Sequence, residues 1–124
     1  MTTLELNHVA IAVSDVPRSV RFYRDALGLL EIPRPAFNFP GAWFRVGSNQ
    51  ELHLIGGHAG PVAAAKRGEG HFALRVPDLA TAEQTLRARH APFDGPMRRP
   101  DGARQIFLAD PDGNVIELCA DLPS

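Results

Sequence analysis

Residues 8–23 read HVAIAVSDVPRSVRFY, and residues 71–86 repeat the same pattern as HFALRVPDLATAEQTL. His8 superposes on His71 and Asp15 on Asp78, both at an offset of 63 residues. In each copy, apolar residues alternate as they do in a half-buried strand, and an aspartate suited to a helix N-cap follows. We therefore interpret the chain as two copies of one supersecondary unit.

Each copy continues with the same order of elements, namely a strand, a helix and three further strands. The first helix should run from Asp15 towards Gly28, and the second from Asp78 to about Arg89. The predicted strands lie near residues 6–13, 29–33, 42–47, 51–56, 71–76, 93–97, 104–109 and 114–120. This order predicts an α+β fold of two βαβββ modules in a single domain over residues 1–124. Module 1 should cover about residues 1–56, a linker residues 57–70, and module 2 about residues 71–124.

Composition restricts the class of protein. The 124 residues are 44% hydrophobic and 22% charged, which is typical of one globular domain. The apolar runs are too short to span a membrane, and no basic region precedes the first of them, so we expect neither a membrane segment nor a signal peptide. A net charge of −1 gives no basis for a nucleic-acid partner. The single cysteine, Cys119, cannot form an internal disulfide, which favours a cytoplasmic location.

Strand alternation points to a cavity with metal-binding chemistry. His8 shares a face with Ala10 and Ala12, and these small residues leave room beside the imidazole. In the last strand of each module, one face carries leucine and isoleucine while the other carries His53 or Glu117. A histidine in a strand is more often structural than a ligand. Four such residues at duplicated positions, His8 with His71 and His53 with Glu117, are harder to obtain by chance. Three imidazoles and one carboxylate suit Zn, Ni, Co, Mn or Fe(II).

Other residues are either candidates for substrate contact or are expected to have no chemical role. Five side chains on or near the same faces are predicted to line the pocket: Trp43, Arg45, Arg75, Gln105 and Phe107. Phe37 and Phe39 belong either to an ordinary surface loop or to a lid over the pocket. We expect His58 and His90 to be exposed to solvent, and Cys119 to be a packed thiol.

Four motifs of the chain match a known family. Residues 7–10 (NHVA), 27–29 (LGL), 70–73 (GHFA) and 110–118 (DPDGNVIEL) resemble the vicinal oxygen chelate superfamily. That group includes glyoxalase I, methylmalonyl-CoA epimerase, extradiol dioxygenases, fosfomycin resistance enzymes and bleomycin resistance proteins. The resemblance covers essentially the whole chain. It implies paired βαβββ modules whose mixed sheets curl round a metal site, and it implies a homodimer.

The resemblance also implies ligands and a reaction type. The ligand positions of the family fall on His8, His53, His71 and Glu117, and glyoxalase I carries a glutamate where this chain has His53. The implied function is that of a divalent-metal-dependent lyase or isomerase, similar to lactoylglutathione lyase. Such an enzyme chelates vicinal oxygens of a small substrate and stabilises an enolate-like intermediate, and Glu117 would be its base.

Three alternatives to this function stay open. The first is an extradiol-type Fe(II) dioxygenase. The second is a fosfomycin-type thiol transferase, a group that places an aromatic residue where Trp43 stands and a basic residue beyond the last ligand strand. This chain ends without such a basic residue. The third is a metal-free binding or resistance protein that sequesters a ligand.

Overall fold

A computed structural model describes residues 3–57 and 70–121 of the chain. The chain divides into two compact units, Met1–Val62 and Ala63–Ser124. The first unit contains β1 (His8–Ala12), α1 (Val16–Arg21), β2 (Leu30–Ile32), β3 (Gly41–Val46) and β4 (Gln50–Ile55). The second unit contains β5 (Phe72–Arg75), α2 (Leu79–Ala88), β6 (Asp94–Arg98), β7 (Arg104–Ala109) and β8 (Val115–Cys119).

Each unit has one four-stranded mixed sheet with the same topology. The strand order is β1-β4-β3-β2 in the first sheet and β5-β8-β7-β6 in the second. The first strand of each unit pairs in parallel with the last, and the other neighbours are antiparallel. The predicted α+β fold of two βαβββ modules is therefore confirmed.

Apolar residues of the last strands and of the helices form the core of each unit. Leu52 and Leu54 of β4 are almost fully buried, as are Ile116 and Leu118 of β8. Their alternation leaves His53 and Glu117 on the opposite faces of these strands, as the sequence predicts. An aspartate caps each helix: Asp15 accepts from the N–H of Arg18, and Asp78 from the N–H of Ala80.

Two local expectations need correction. Strand alternation predicts that Val9, Ile11, Phe72 and Leu74 lie buried beneath the helices, on the faces opposite His8 and His71, but these four side chains are only half-buried. The reason is that β1 and β5 are edge strands, each with a neighbour on one side only. The first helix does not continue regularly to Leu27, because residues Phe22–Ala26 form a wider π-helical turn in which the N–H of Leu27 reaches the carbonyl of Phe22.

The turn between β7 and β8 fixes the register of β8. The carboxylate of Asp110, only 5% exposed, accepts hydrogen bonds from the N–H groups of Asp112 and Asn114 at 2.9 and 2.8 Å. Its second oxygen accepts from the side-chain amide of Asn114 at 2.9 Å. The turn therefore depends on one buried acceptor.

Among the described residues, no helix is long and apolar enough to cross a membrane.

Replacing Asp110 by Ala should lower the free energy of unfolding by about 2–3 kcal/mol, because the half-buried donors of Asp112 and Asn114 lose a charged acceptor. Urea denaturation followed by circular dichroism measures this change. Asp121→Ala is the matched control, since the Asp121 carboxylate is 76% exposed and pairs with exposed Arg75, so it should change stability by less than about 0.5 kcal/mol. Equal stability of the two variants would contradict this account of the turn.

Candidate functional site

The first unit gathers a group of polar and aromatic side chains on the face of its sheet opposite Leu52 and Leu54. We call this group the module 1 cluster: His8, Trp43, Arg45, Glu51 and His53. Strand pairing creates it, since β1 places His8 beside Glu51, and β3 places Trp43 beside His53. All five side chains come from three adjacent strands, so the backbone fixes their spacing.

Three rings of the module 1 cluster form a stack. The His53 ring lies 3.9 Å from the Trp43 ring at an angle of 1° between planes. On the other side it lies 4.1 Å from the His8 ring at 16°. Ala10, the β1 neighbour of His53, is small, which leaves space for the His8 ring to lean across. The plane of the His53 imidazole is therefore held from both sides.

The hydrogen bonds of this cluster define which ring nitrogens carry hydrogen. His53 Nε2 lies 2.9 Å from Glu51 Oε1. Because a carboxylate can only accept, Nε2 must donate, and the lone pair of the neutral ring is then on Nδ1. His8 Nδ1 lies 2.8 Å from the side-chain oxygen of Asn7, so the corresponding lone pair of His8 is on Nε2. The two histidines thus expose different ring nitrogens.

The second unit places a different group around Glu117. We call it the module 2 cluster: His71, Gln105, Phe107 and Glu117. Glu117, 6% exposed, accepts from His71 Nε2 at 3.1 Å through Oε1 and from the amide of Gln105 at 3.1 Å through Oε2. The rings of Phe107 and His71 meet in a T-shaped arrangement, with 5.7 Å between their centroids. Each oxygen of this buried carboxylate therefore has a donor.

The structure distributes the sequence-predicted residues between the clusters, with one exception. Arg75 lies outside both, because its side chain is 75% exposed and its Nε donates to Asp121 at 3.0 Å. Glu51 was not among the candidates, although it shares the face of His53 two residues earlier in β4. This two-residue spacing on one strand is the feature of the sequence that could have identified Glu51. His90 is exposed as expected, and His58 lies outside the described residues.

The aromatic loop before β3 extends the ring stack of the first cluster. Phe37 and Phe39 are stacked at 5.2 Å, and Phe37 lies 6.1 Å from Trp43. The guanidinium of Arg34 covers both phenyl rings at about the same distance, 5.0 and 4.9 Å, and donates to the carbonyl of Phe39. Both rings remain more than a third exposed. They form an aromatic surface that continues outward from Trp43.

Cys119 is a poor candidate for a nucleophile. Burial, and after it the negative charge of Glu117, raise the pKa of the Cys119 thiol. The thiol lies 3.8 Å from the carbonyl of Leu74 on the neighbouring strand. Because the thiolate is the reactive form, a protonated and partly buried thiol of this kind is a weak nucleophile. Cys119 therefore acts as a packing residue.

Each unit contains one pair of side chains whose atoms are suitable ligands for a divalent metal, namely His8 with His53 in the first unit and His71 with Glu117 in the second. Donors bound to one metal at about 2.1 Å lie about 3 Å apart, close to the distance between His71 Nε2 and Glu117 Oε1. This pair would bind one ion after the hydrogen on Nε2 moves to Nδ1. The rings of His8 and His53 are stacked 4.1 Å apart, and their hydrogen bonds leave a lone pair on Nε2 of His8 and on Nδ1 of His53. Within residues 3–57 and 70–121, no three His, Cys, Asp or Glu side chains form a complete ligand group.

Comparison with known proteins identifies the family. A family model described as the Glyoxalase/Bleomycin resistance protein/Dioxygenase superfamily matches residues 5–118. The chain belongs to this superfamily. The resemblance inferred from the motifs of the sequence is therefore confirmed.

Several relatives agree with this assignment. The chain is 29% identical to Glyoxylase I 4 of Arabidopsis thaliana, over 92% of this chain and 69% of that protein. It is 28% identical to the metallothiol transferase FosB of Staphylococcus epidermidis, over 91% of this chain and 81% of FosB. Among solved structures, a Bacillus anthracis protein assigned to the glyoxalase family matches with a TM-score of 0.82 and 28% identity over 98% of both chains.

The stack of Trp43 on His53 gives a direct test of the module 1 cluster. Trp43 is the only tryptophan of the chain, and the His53 ring covers one face of its indole. His53→Ala exposes that face to water and should therefore shift the emission maximum of Trp43 to longer wavelength in steady-state fluorescence. His90→Asn is the control, because His90 is exposed and asparagine tolerates its positive φ of 55°. Unchanged emission of the His53 variant would mean that the stack does not form.

Proposed function

We propose that this protein is a divalent-metal-dependent enzyme of the glyoxalase type. It would act on a small substrate that carries two neighbouring oxygen atoms. The observation that carries the proposal is Glu117, a buried carboxylate whose two oxygens face an imidazole and an amide. The similarity to proteins named as a glyoxylase and as a metallothiol transferase supports an enzymatic role.

Four residues would hold the metal: His8, His53, His71 and Glu117. A bound divalent cation would act as a Lewis acid towards the two substrate oxygens and would stabilise negative charge on them. Zn, Ni, Co, Mn and Fe(II) all accept such a ligand set. His53 should contribute least to affinity, because its ring is stacked between two other rings and three ligands remain without it.

Glu117 would be the base that moves the proton. Its carboxylate would take a proton from the carbon next to the substrate carbonyl, while the electrons of the broken C–H bond move to the carbonyl oxygen. Return of the proton to the neighbouring carbon would complete an isomerisation. Gln105 would hold one Glu117 oxygen in place, and Phe107 and His71 would limit its access to water.

Substrate selection would depend on side chains beside the ligands. Trp43 and Phe107 offer aromatic surface, and Arg45 offers a charge that Glu51, at 3.6 Å, neutralises in part. Arg75 would reach a substrate only after leaving Asp121.

Thiol transfer is the second candidate reaction, and the similarity to FosB supports it. An Fe(II)-dependent oxygenation and simple sequestration of a ligand are the remaining possibilities. Metal-loaded protein assayed with hemithioacetals, catechols, fosfomycin plus thiols, and acyl-CoA esters separates these reactions. Turnover of a hemithioacetal or epimerisation of an acyl-CoA ester supports the proposal, whereas turnover of fosfomycin or catechol, or tight binding without turnover, replaces it.

Glu117→Gln should weaken metal binding and abolish any proton-transfer activity, because it removes both the ligand charge and the base. Isothermal titration with Zn²⁺, Ni²⁺ or Mn²⁺ measures the first effect, and exchange of the substrate C–H proton with deuterated solvent measures the second. Glu83→Gln is the matched control, since Glu83 lies on α2 and pairs with exposed Arg87. If Glu117→Gln kept full metal occupancy and turnover, Glu117 would not be the base.

We further propose a homodimer. The large exposed apolar side chains of the described residues all lie in the first unit, and Leu4, Leu6 and Leu30 are 77%, 62% and 68% exposed. In a homodimer, the assembly that the family resemblance implies, the partner chain would cover such exposed apolar side chains. Light scattering at micromolar concentration should give twice the chain mass, and Leu6→Ser with Leu30→Ser should shift the mass towards the monomer. A monomeric wild type would refute the dimer.

A further inference from the structure

One row of the first sheet carries charges that the corresponding row of the second sheet lacks. At an offset of 64 residues, Trp43 corresponds to Phe107 and His53 to Glu117, so these positions keep their aromatic and ligand character. In the next row, Arg45 and Glu51 are cross-strand partners in the first unit. Their counterparts Ala109 and Val115 are also cross-strand partners but carry no charge. The charged row is therefore a feature of module 1 alone.

Glu51 lies between Arg45 and His53 and contacts both side chains. Its Oε1 accepts from His53 Nε2 at 2.9 Å, and its Oε2 lies 3.6 Å from Arg45 Nη1. The side chains of His53 and Glu51 are only 12% and 22% exposed, so water screens their contact weakly. Arg45 is 38% exposed and holds the outer oxygen of the carboxylate. Both carboxylate oxygens of Glu51 therefore contact a protein group, His53 through Oε1 and Arg45 through Oε2.

The contacts of His53 restrict two different motions of its ring. Stacking on Trp43 at 3.9 Å and 1° fixes the plane of the imidazole. Stacking alone does not decide which edge of the ring faces the start of β4, because a flipped ring stacks equally well. The hydrogen bond to Glu51 makes that choice, since it requires Nε2–H on the edge that faces residue 51.

We propose that Glu51 is a positioning residue that locks the orientation and tautomer of His53, leaving Nδ1 as the only ring nitrogen able to bind a cation. The link to metal affinity rests on the proposed function, whereas the tautomer does not. Carboxylates that hold the second nitrogen of a ligand histidine fix the ring and raise its basicity, and their loss typically weakens metal binding about 10–100-fold. Glu51 would therefore tune the ligand that the sequence places at position 53.

The tautomer can be measured in metal-free protein. Long-range ¹H–¹⁵N spectra of ¹⁵N-histidine-labelled protein separate Nε2–H from Nδ1–H rings, at a pH where the rings are neutral, and His53→Gln assigns the signal. Wild type should show His53 with hydrogen on Nε2 only. Glu51→Ala should shift it to the mixture of tautomers of an exposed histidine. Glu51→Gln should keep Nε2–H, because the glutamine carbonyl still accepts a hydrogen bond and preserves the size of the side chain.

Metal affinity gives the second readout, by isothermal titration with Zn²⁺. Glu51→Ala should weaken binding about 10–100-fold, Glu51→Gln should weaken it less, and the control Glu83→Ala should change neither affinity nor tautomer. A His53 tautomer unchanged in Glu51→Ala would overturn the positioning role. Unchanged Zn²⁺ affinity in that variant would overturn its link to the metal. If wild-type protein bound no divalent metal at all, the proposed function would fail, but the metal-free spectra would still decide the role of Glu51.

Discussion

The parallel pairing of the first strand of each module with its last strand is the constraint on which both clusters depend. In the first sheet this pairing places His8 beside Glu51 and Ala10 beside His53. In the second it places Ala73 beside Glu117. Because side chains alternate across a strand, a shift of one residue in either pairing would turn the side chains of the shifted strand to the opposite face and separate these groups. The leucines and isoleucine on that opposite face make such a shift costly.

The small residues beside the candidate ligands matter as much as the ligands. Ala10 leaves space for the His8 ring to reach His53, and Ala73 leaves Glu117 open to His71. A larger side chain at either position would separate the polar groups that the strand pairing brings together. The fold therefore creates each cluster by combining a long polar side chain with a small neighbour.

Duplication gives the two modules one backbone plan but different chemistry. Module 2 buries a carboxylate between an imidazole and an amide, which holds a negative charge away from water. Module 1 instead stacks two imidazoles with an indole and adds the pair formed by Arg45 and Glu51. The family model of the glyoxalase/bleomycin resistance protein/dioxygenase superfamily matches residues 5–118 and so includes both modules. Selectivity for a substrate would have to come from the features that differ.

The sequence by itself determined the order of elements, the duplication and the face of each strand, because alternation and capping are local patterns. Thus β7 begins and ends where the sequence placed it, and His53 and Glu117 lie opposite the buried residues of their strands. Only the tertiary structure decided the partners of those side chains. The half-burial of Val9 follows from the edge position of β1, and the contact of Gln105 with Glu117 follows from strand pairing. The bond from His53 to Glu51 depends on a ring plane fixed by Trp43 of the neighbouring strand, and side-chain orientation of this kind is set by neighbours from other strands rather than by local sequence.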